Sequence, residues 1–82
     1  MIDGAEIFKL MDTHGLPLEI ITELLREKGE AFDVVQFIEA GLFSHNFTYP
    51  KLRTRLIEAI DPQGKDSFID TLDKVAKIKG WE

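Results

Sequence analysis

Apolar residues recur along most of the chain at spacings of three and four, which is the period of a helix that buries one face. Asp3 followed by Glu6 has the spacing of a helix capping box, and the pattern after it predicts a first helix at about 4–13. A second helix is expected to start at Pro17 and to end at Gly29. The N-terminal third of the chain is therefore predicted to be a pair of short helices.

The middle of the chain is the most apolar part. The segment from Ala31 to Ala40 predicts a third helix, largely buried, which Gly41 is expected to end. A loop is then predicted from Leu42 to Tyr49. Its large apolar side chains are Leu42, Phe43, Phe47 and Tyr49. They are too apolar to leave in water, so the loop should cover the protein's own core or meet a partner.

Two further helices follow in the C-terminal half. Thr48 is placed to cap a fourth helix with Pro50 in its first turn. Asp66 or Ser67 is placed to cap a fifth, which ends in lysines that complement the helix dipole. Trp81 follows that helix and is expected to pack back onto its last turn.

These segments predict an all-α fold, a compact orthogonal bundle of about five short helices in a single domain spanning 1–82. The length allows one hydrophobic core, and a composition of 44% hydrophobic and 30% charged residues suits a folded domain. The chain has no cysteine, which excludes disulfides and thiolate zinc sites. Stability must come from packing or from self-association.

The charge balance narrows the classes of partner. The formal net charge of −5 argues against general attraction to nucleic acid or to an anionic membrane. The N-terminus lacks a basic region followed by an apolar stretch, and no apolar run is long enough to span a bilayer. The sequence therefore predicts a cytoplasmic protein without a membrane partner.

The stretch 7–26 resembles the helix-turn-helix motif of DNA-binding proteins, with Gly15 in the turn. It departs from that motif at Met11, where a small residue is usual, and at His14, where an apolar one is usual. The second helix also carries an acidic face, which consists of Glu19, Glu23 and Glu27. Because these carboxylates repel phosphates, the pattern favours a plain helical corner over a DNA-reading one.

Lys51, Arg53 and Arg55 form the only dense basic cluster, and the first and last of these lie four residues apart on one helix face. With the nearby Tyr49 they could hold an anion or a nucleic acid. The alternative is a solvated helix face paired with Glu58 and other acids. The acidity of the chain favours that alternative.

The sequence offers no catalytic or metal site and no cofactor motif. His14 and His45 are the only histidines, and neither has further ligands at a metal-binding spacing. The glutamates of the second helix lie on a wet face, where nothing prepares an acid and base pair. We therefore expect no enzyme activity, no metal and no cofactor.

The interpretation that follows is a small, non-enzymatic protein-interaction module, an adaptor, accessory protein or inhibitor of phage or mobile-element type. Its partner would be another protein or a second copy in a homodimer, with nucleic acid less favoured. The predicted contact surface consists of Leu42, Phe43, Phe47, Tyr49, Lys51, Arg53 and Arg55. Two alternatives are a helix-turn-helix-like DNA-binding regulator and an acidic inhibitor that mimics nucleic acid through the second helix.

Overall fold

A computed structural model describes residues 1–64 and 68–81 and confirms the all-α fold. Within these ranges the helices are α1 (Gly4–Asp12), α2 (Leu18–Glu27), α3 (Val34–Ser44), α4 (Tyr49–Ile60) and α5 (Phe68–Lys79). The Cα radius of gyration is 12.0 Å, close to the value of about 12 Å typical of a compact domain of this length. The helix-turn-helix-like corner is present as α1 and α2, and Gly15 adopts a left-handed φ of 68° in the turn between them.

The start of α1 lies directly against the start of α3. Asp3 caps α1, since its carboxylate accepts a hydrogen bond from the Ala5 amide at 2.9 Å. Just before it, Ile2 and Phe32 form an isolated parallel β-bridge. The Gly4 amide donates to the Gln36 side chain at 3.1 Å. These contacts join two segments about thirty residues apart in sequence.

Both predicted ends of the third helix were wrong. The helix begins at Val34 because Asp33 caps it, with a carboxylate that accepts from the Gln36 amide at 3.2 Å. It also continues through Gly41 to Ser44. Gly41 packs closely inside the helix rather than ending it, because a Cβ there would lie 2.8 Å from side-chain atoms of both Leu52 and Phe8.

The predicted loop from Leu42 to Tyr49 is correspondingly shorter. Leu42 and Phe43 belong to α3 and Tyr49 opens α4, so the connection is residues 45–48. Tyr49 is 3% exposed and belongs to the core, whereas Phe43 is 72% exposed. Leu42 and Phe47 are partly buried against the core. The apolar group is thus divided between the interior and the surface.

The remaining helices close the core from the other sides. α2 packs on α4, where the Thr22 hydroxyl lies 3.3 Å from the Ala59 carbonyl. α5 buries Leu72 and Ala76. The Trp81 amide donates to the Ala76 carbonyl at 2.9 Å, which confirms that the chain turns back after α5. The predicted cap of α5, Asp66 or Ser67, lies outside the described residues.

Candidate functional site

A polar network joins α4 to α5. The Tyr49 hydroxyl donates to Asp73 Oδ1 at 2.6 Å. Arg53 approaches the same carboxylate with two nitrogens, Nε at 2.9 Å from Oδ1 and Nη2 at 3.1 Å from Oδ2. This two-pronged arrangement fixes the plane of the guanidinium group. The two helices are therefore held in register by side chains that are twenty or more residues apart.

The network changes the acidity of Asp73. Hydrogen bonds from Arg53, and then from Tyr49, lower the pKa of the Asp73 carboxyl below its ordinary value. The carboxylate is 31% exposed, so solvent reduces the strength of this effect. Asp73 is therefore ionised at neutral pH and stays so into mild acid.

A pH dependence of stability follows from this shift. A carboxyl whose pKa is lowered by folding stabilises the fold above its unfolded pKa, near 3.8, and loses that contribution as the pH falls through the folded pKa. We expect Asp73→Asn to lower the free energy of unfolding by about 1–2 kcal/mol at neutral pH. The difference from the unchanged protein should shrink at about pH 3.

Urea unfolding at the two pH values, followed by circular dichroism, measures this difference. Asp70→Asn is the control, because Asp70 is an exposed acid in the first turn of the same helix and should contribute only about 0.3–1 kcal/mol, through the helix dipole. The prediction is contradicted if the two variants lose the same stability at neutral pH, or if the effect of Asp73→Asn does not change with pH.

The network forms one wall of an open groove of about 940 Å³ between α4 and the end of α5. The residues that line the groove are Leu42, Phe47, Thr48, Tyr49, Pro50, Arg53, Thr54, Asp73 and Trp81. The rings of Tyr49 and Trp81 are 5.8 Å apart between centroids, at an interplanar angle of 41°. The groove therefore combines aromatic walls with one fixed ion pair.

Sequence reasoning missed Asp73 altogether and gave Trp81 only a packing role. A signal for Asp73 was present, because it adjoins Leu72 and lies three residues before Ala76, on the edge of the buried face of α5. An acid at the edge of an apolar face usually has a partner across the interface. The partner is the middle residue of the basic cluster.

The basic cluster is thereby divided. Arg53 is engaged by Asp73, whereas Lys51 and Arg55 are exposed. The Lys51 ammonium lies 5.1 Å from the centroid of the Phe47 ring. Among the described residues neither Lys51 nor Arg55 is in an ion pair, so the predicted pairing with Glu58 is not formed. We call Lys51 and Arg55 together the basic face.

The acidic face of α2 is exposed, as the sequence pattern indicated. Glu19, Glu23 and Glu27 all lie at the surface. Ile20 and Leu24 lie among them and are 46% and 50% exposed. The acidic and basic faces are on different helices.

His45 packs against α1, whereas His14 is exposed. His45 Nδ1 lies 3.2 Å from Asp12 Oδ2, and the imidazole packs on the Phe8 ring at 4.7 Å between centroids. No group of three or more metal-ligating side chains is found among residues 1–64 and 68–81. Over the same residues, no helix is long and apolar enough to cross a membrane.

The described residues thus present an aromatic groove and a basic face, and Lys51 of that face lies over Phe47, which lines the groove. The chain resembles a segment of alanine–tRNA ligases. It is 33% identical to the enzyme from Ehrlichia chaffeensis over 87 aligned residues, which cover 100% of this chain and 9% of the ligase. It is 56% identical to the enzyme from Thermotoga petrophila over 36 residues, 44% of this chain and 4% of the ligase.

A ligase from Synechococcus is 50% identical over 36 residues, again 44% of this chain and 4% of the enzyme. The chain thus spans less than a tenth of the length of the curated relatives that it matches. No family model matches the chain. No solved structure matches it either.

This similarity overturns the predicted function. A protein-interaction module of phage or mobile-element type was the wrong interpretation, because the similar proteins are alanine–tRNA ligases. Neither the DNA-binding regulator nor the acidic mimic of nucleic acid accounts for that similarity. The error arose because small size, acidity and the lack of a catalytic motif do not identify a relative. The absence of enzyme activity stays a prediction, since each match covers one small segment of an enzyme.

Proposed function

We propose that this chain is a tRNA-contacting helical domain and that its basic face on α4 makes the contact. The observation that carries the proposal is the similarity of the whole chain to a segment of an enzyme whose name states that it joins alanine to tRNA. The basic face supports it, because Lys51 and Arg55 are four residues apart on one helix and are exposed.

The physical basis of the contact is electrostatic. A lysine or arginine without an internal ion pair keeps its full charge for a phosphate, whereas one held by a carboxylate is largely neutralised. Lys51 and Arg55 belong to the first kind and Arg53 to the second. The side chains of the basic face are therefore the ones that should contact the tRNA backbone.

The net negative charge of the chain should weaken its binding to tRNA. A formal net charge of −5 opposes the approach of a polyanion. The acidic face of α2 should therefore stay turned away from the RNA. Binding through two cations should be weak and should depend on salt, with affinity falling roughly tenfold between about 50 mM and about 200 mM monovalent salt.

A titration of fluorescently labelled tRNA with the chain, followed by anisotropy at these two salt concentrations, tests the proposal. We expect saturable binding at the lower concentration and the stated loss at the higher one. Absence of binding at the lower salt concentration would refute the proposal. Binding that does not respond to salt would refute the electrostatic contact.

A further inference from the structure

The proposed phosphate contacts involve Lys51 and Arg55 and leave the groove between α4 and the end of α5 empty. The groove is lined mainly by aromatic and apolar residues, whereas the basic face is charged. Its lining residues include the aromatic Phe47, Tyr49 and Trp81, of which Tyr49 is almost completely buried. We propose that this groove accepts one unpaired base of the bound RNA, stacked against Trp81. The inference rests on the proposed function, because the RNA is first held by the basic face.

The aromatic walls favour a flat, apolar ligand surface. Trp81 is half-buried and packs beside Tyr49, which is itself buried, so the indole is supported on one side while it also lines the groove. A supported, partly exposed indole is the kind of platform on which nucleic-acid bases stack. A volume of about 940 Å³ falls within the range of roughly 300–1,000 Å³ seen for small-ligand pockets.

The position of Lys51 links the groove to the basic face. Its ammonium lies over the Phe47 ring, and Phe47 lines the groove. Lys51 is therefore one side chain away from the groove, and we expect it to contact the phosphate of a base bound there. The lysine suits the phosphate of a nucleotide, and the aromatic groove suits its flat base.

The polar groups in the groove indicate little preference among bases. Arg53 and the Asp73 carboxylate already bind each other, with contacts to both carboxylate oxygens. The Thr54 hydroxyl donates to the Pro50 carbonyl at 3.0 Å. Since few groups remain to read a base edge, we expect stacking to supply the affinity and any of the four bases to be accepted.

The intrinsic fluorescence of the protein reports on the groove, because Trp81 is the only tryptophan in the chain. Three probes are compared, a short single-stranded RNA, a blunt RNA duplex, and tRNA. We expect the single strand and the tRNA to quench Trp81 fluorescence as they bind. The duplex should bind the basic face without quenching, because its bases are already stacked.

Variants separate stacking from phosphate contact. Trp81→Ala should weaken binding of the single strand by roughly 5- to 150-fold and Trp81→Phe by much less. Affinity for the duplex should stay within about twofold, since phosphate contacts are unchanged. Phe43→Ala is the matched control, because Phe43 is a strongly exposed aromatic residue that does not line the groove.

Circular dichroism shows whether each variant is folded. If Trp81→Ala does not fold, the fluorescence quenching of the unchanged protein still tests the inference. Binding of tRNA without quenching would overturn the base-stacking inference and leave the proposed function intact. Equal quenching by duplex and single strand would also overturn it. Absence of tRNA binding would overturn both.

Discussion

Gly4→Ala is expected to destabilise the fold by about 3 kcal/mol or more, a large fraction of the total stability of a small domain. A Cβ at this position would overlap the carbonyl oxygen of Asp33 and the backbone nitrogen of Phe37. Both neighbours are backbone atoms at the start of α3, so no side chain can rotate away. The start of α1 must separate from α3, and the hydrogen bond from the Gly4 amide to Gln36 is lost with it.

Gly15→Ala is the matched control for this substitution. A Cβ at Gly15 would meet no atom within 4 Å, but φ is +68°. Its expected cost is the conformational one alone, about 1–2 kcal/mol. Urea unfolding followed by circular dichroism measures both variants. Equal losses in the free energy of unfolding would show that the close approach of α1 and α3 is not the reason why Gly4→Ala is destabilising.

Reversal of both charges on the basic face is expected to weaken tRNA binding on the order of 10- to 100-fold at low salt. The double variant Lys51→Glu, Arg55→Glu removes two phosphate contacts and places two carboxylates where the backbone should lie. The salt dependence of any residual binding should also be shallower, because fewer counterions are released. Anisotropy titrations at two salt concentrations give both quantities.

The double variant Lys9→Glu, Lys28→Glu changes the net charge by the same amount. Both lysines are exposed and lie away from α4 in the sequence, Lys9 in the last turn of α1 and Lys28 directly after α2. We expect this control to lose only a few-fold in affinity through the general repulsion of a more acidic protein. If the two double variants lose affinity equally, the contact is not located on α4.

Three helix starts could be predicted from the sequence, although of their boundary residues only Asp3 forms a side-chain cap and Thr48 does not. Asp3, Pro17 and Thr48 each stand within a residue of a helix start that the structure confirms. The predicted limits of the third helix were wrong at both ends. The local cap Asp33, inside the apolar segment that starts at Ala31, sets its start, whereas its continuation through Gly41 depends on distant residues. Phe32 pairs with Ile2 rather than entering the helix, and a helix passes through a glycine when its neighbours leave no room for a side chain.

Only the basic cluster of the candidate site could be predicted from the sequence. The basic cluster could be seen as a cluster, but its division required knowledge of which carboxylate faces Arg53. That partner, Asp73, lies twenty residues away on another helix. The groove likewise needs α4 and the end of α5 side by side. Spacing within one helix predicts neighbours on that helix and contains no information about the helix packed against it.

Amide chemical-shift changes in the isotopically labelled chain during titration with tRNA locate the RNA contact residue by residue. We expect shifts concentrated in the first two turns of α4, around Lys51 and Arg55, with the Trp81 side chain shifting as well. Little change is expected along the acidic face of α2. Shifts confined to α1 and α2, or no shifts at all at low salt, would refute a tRNA contact through α4.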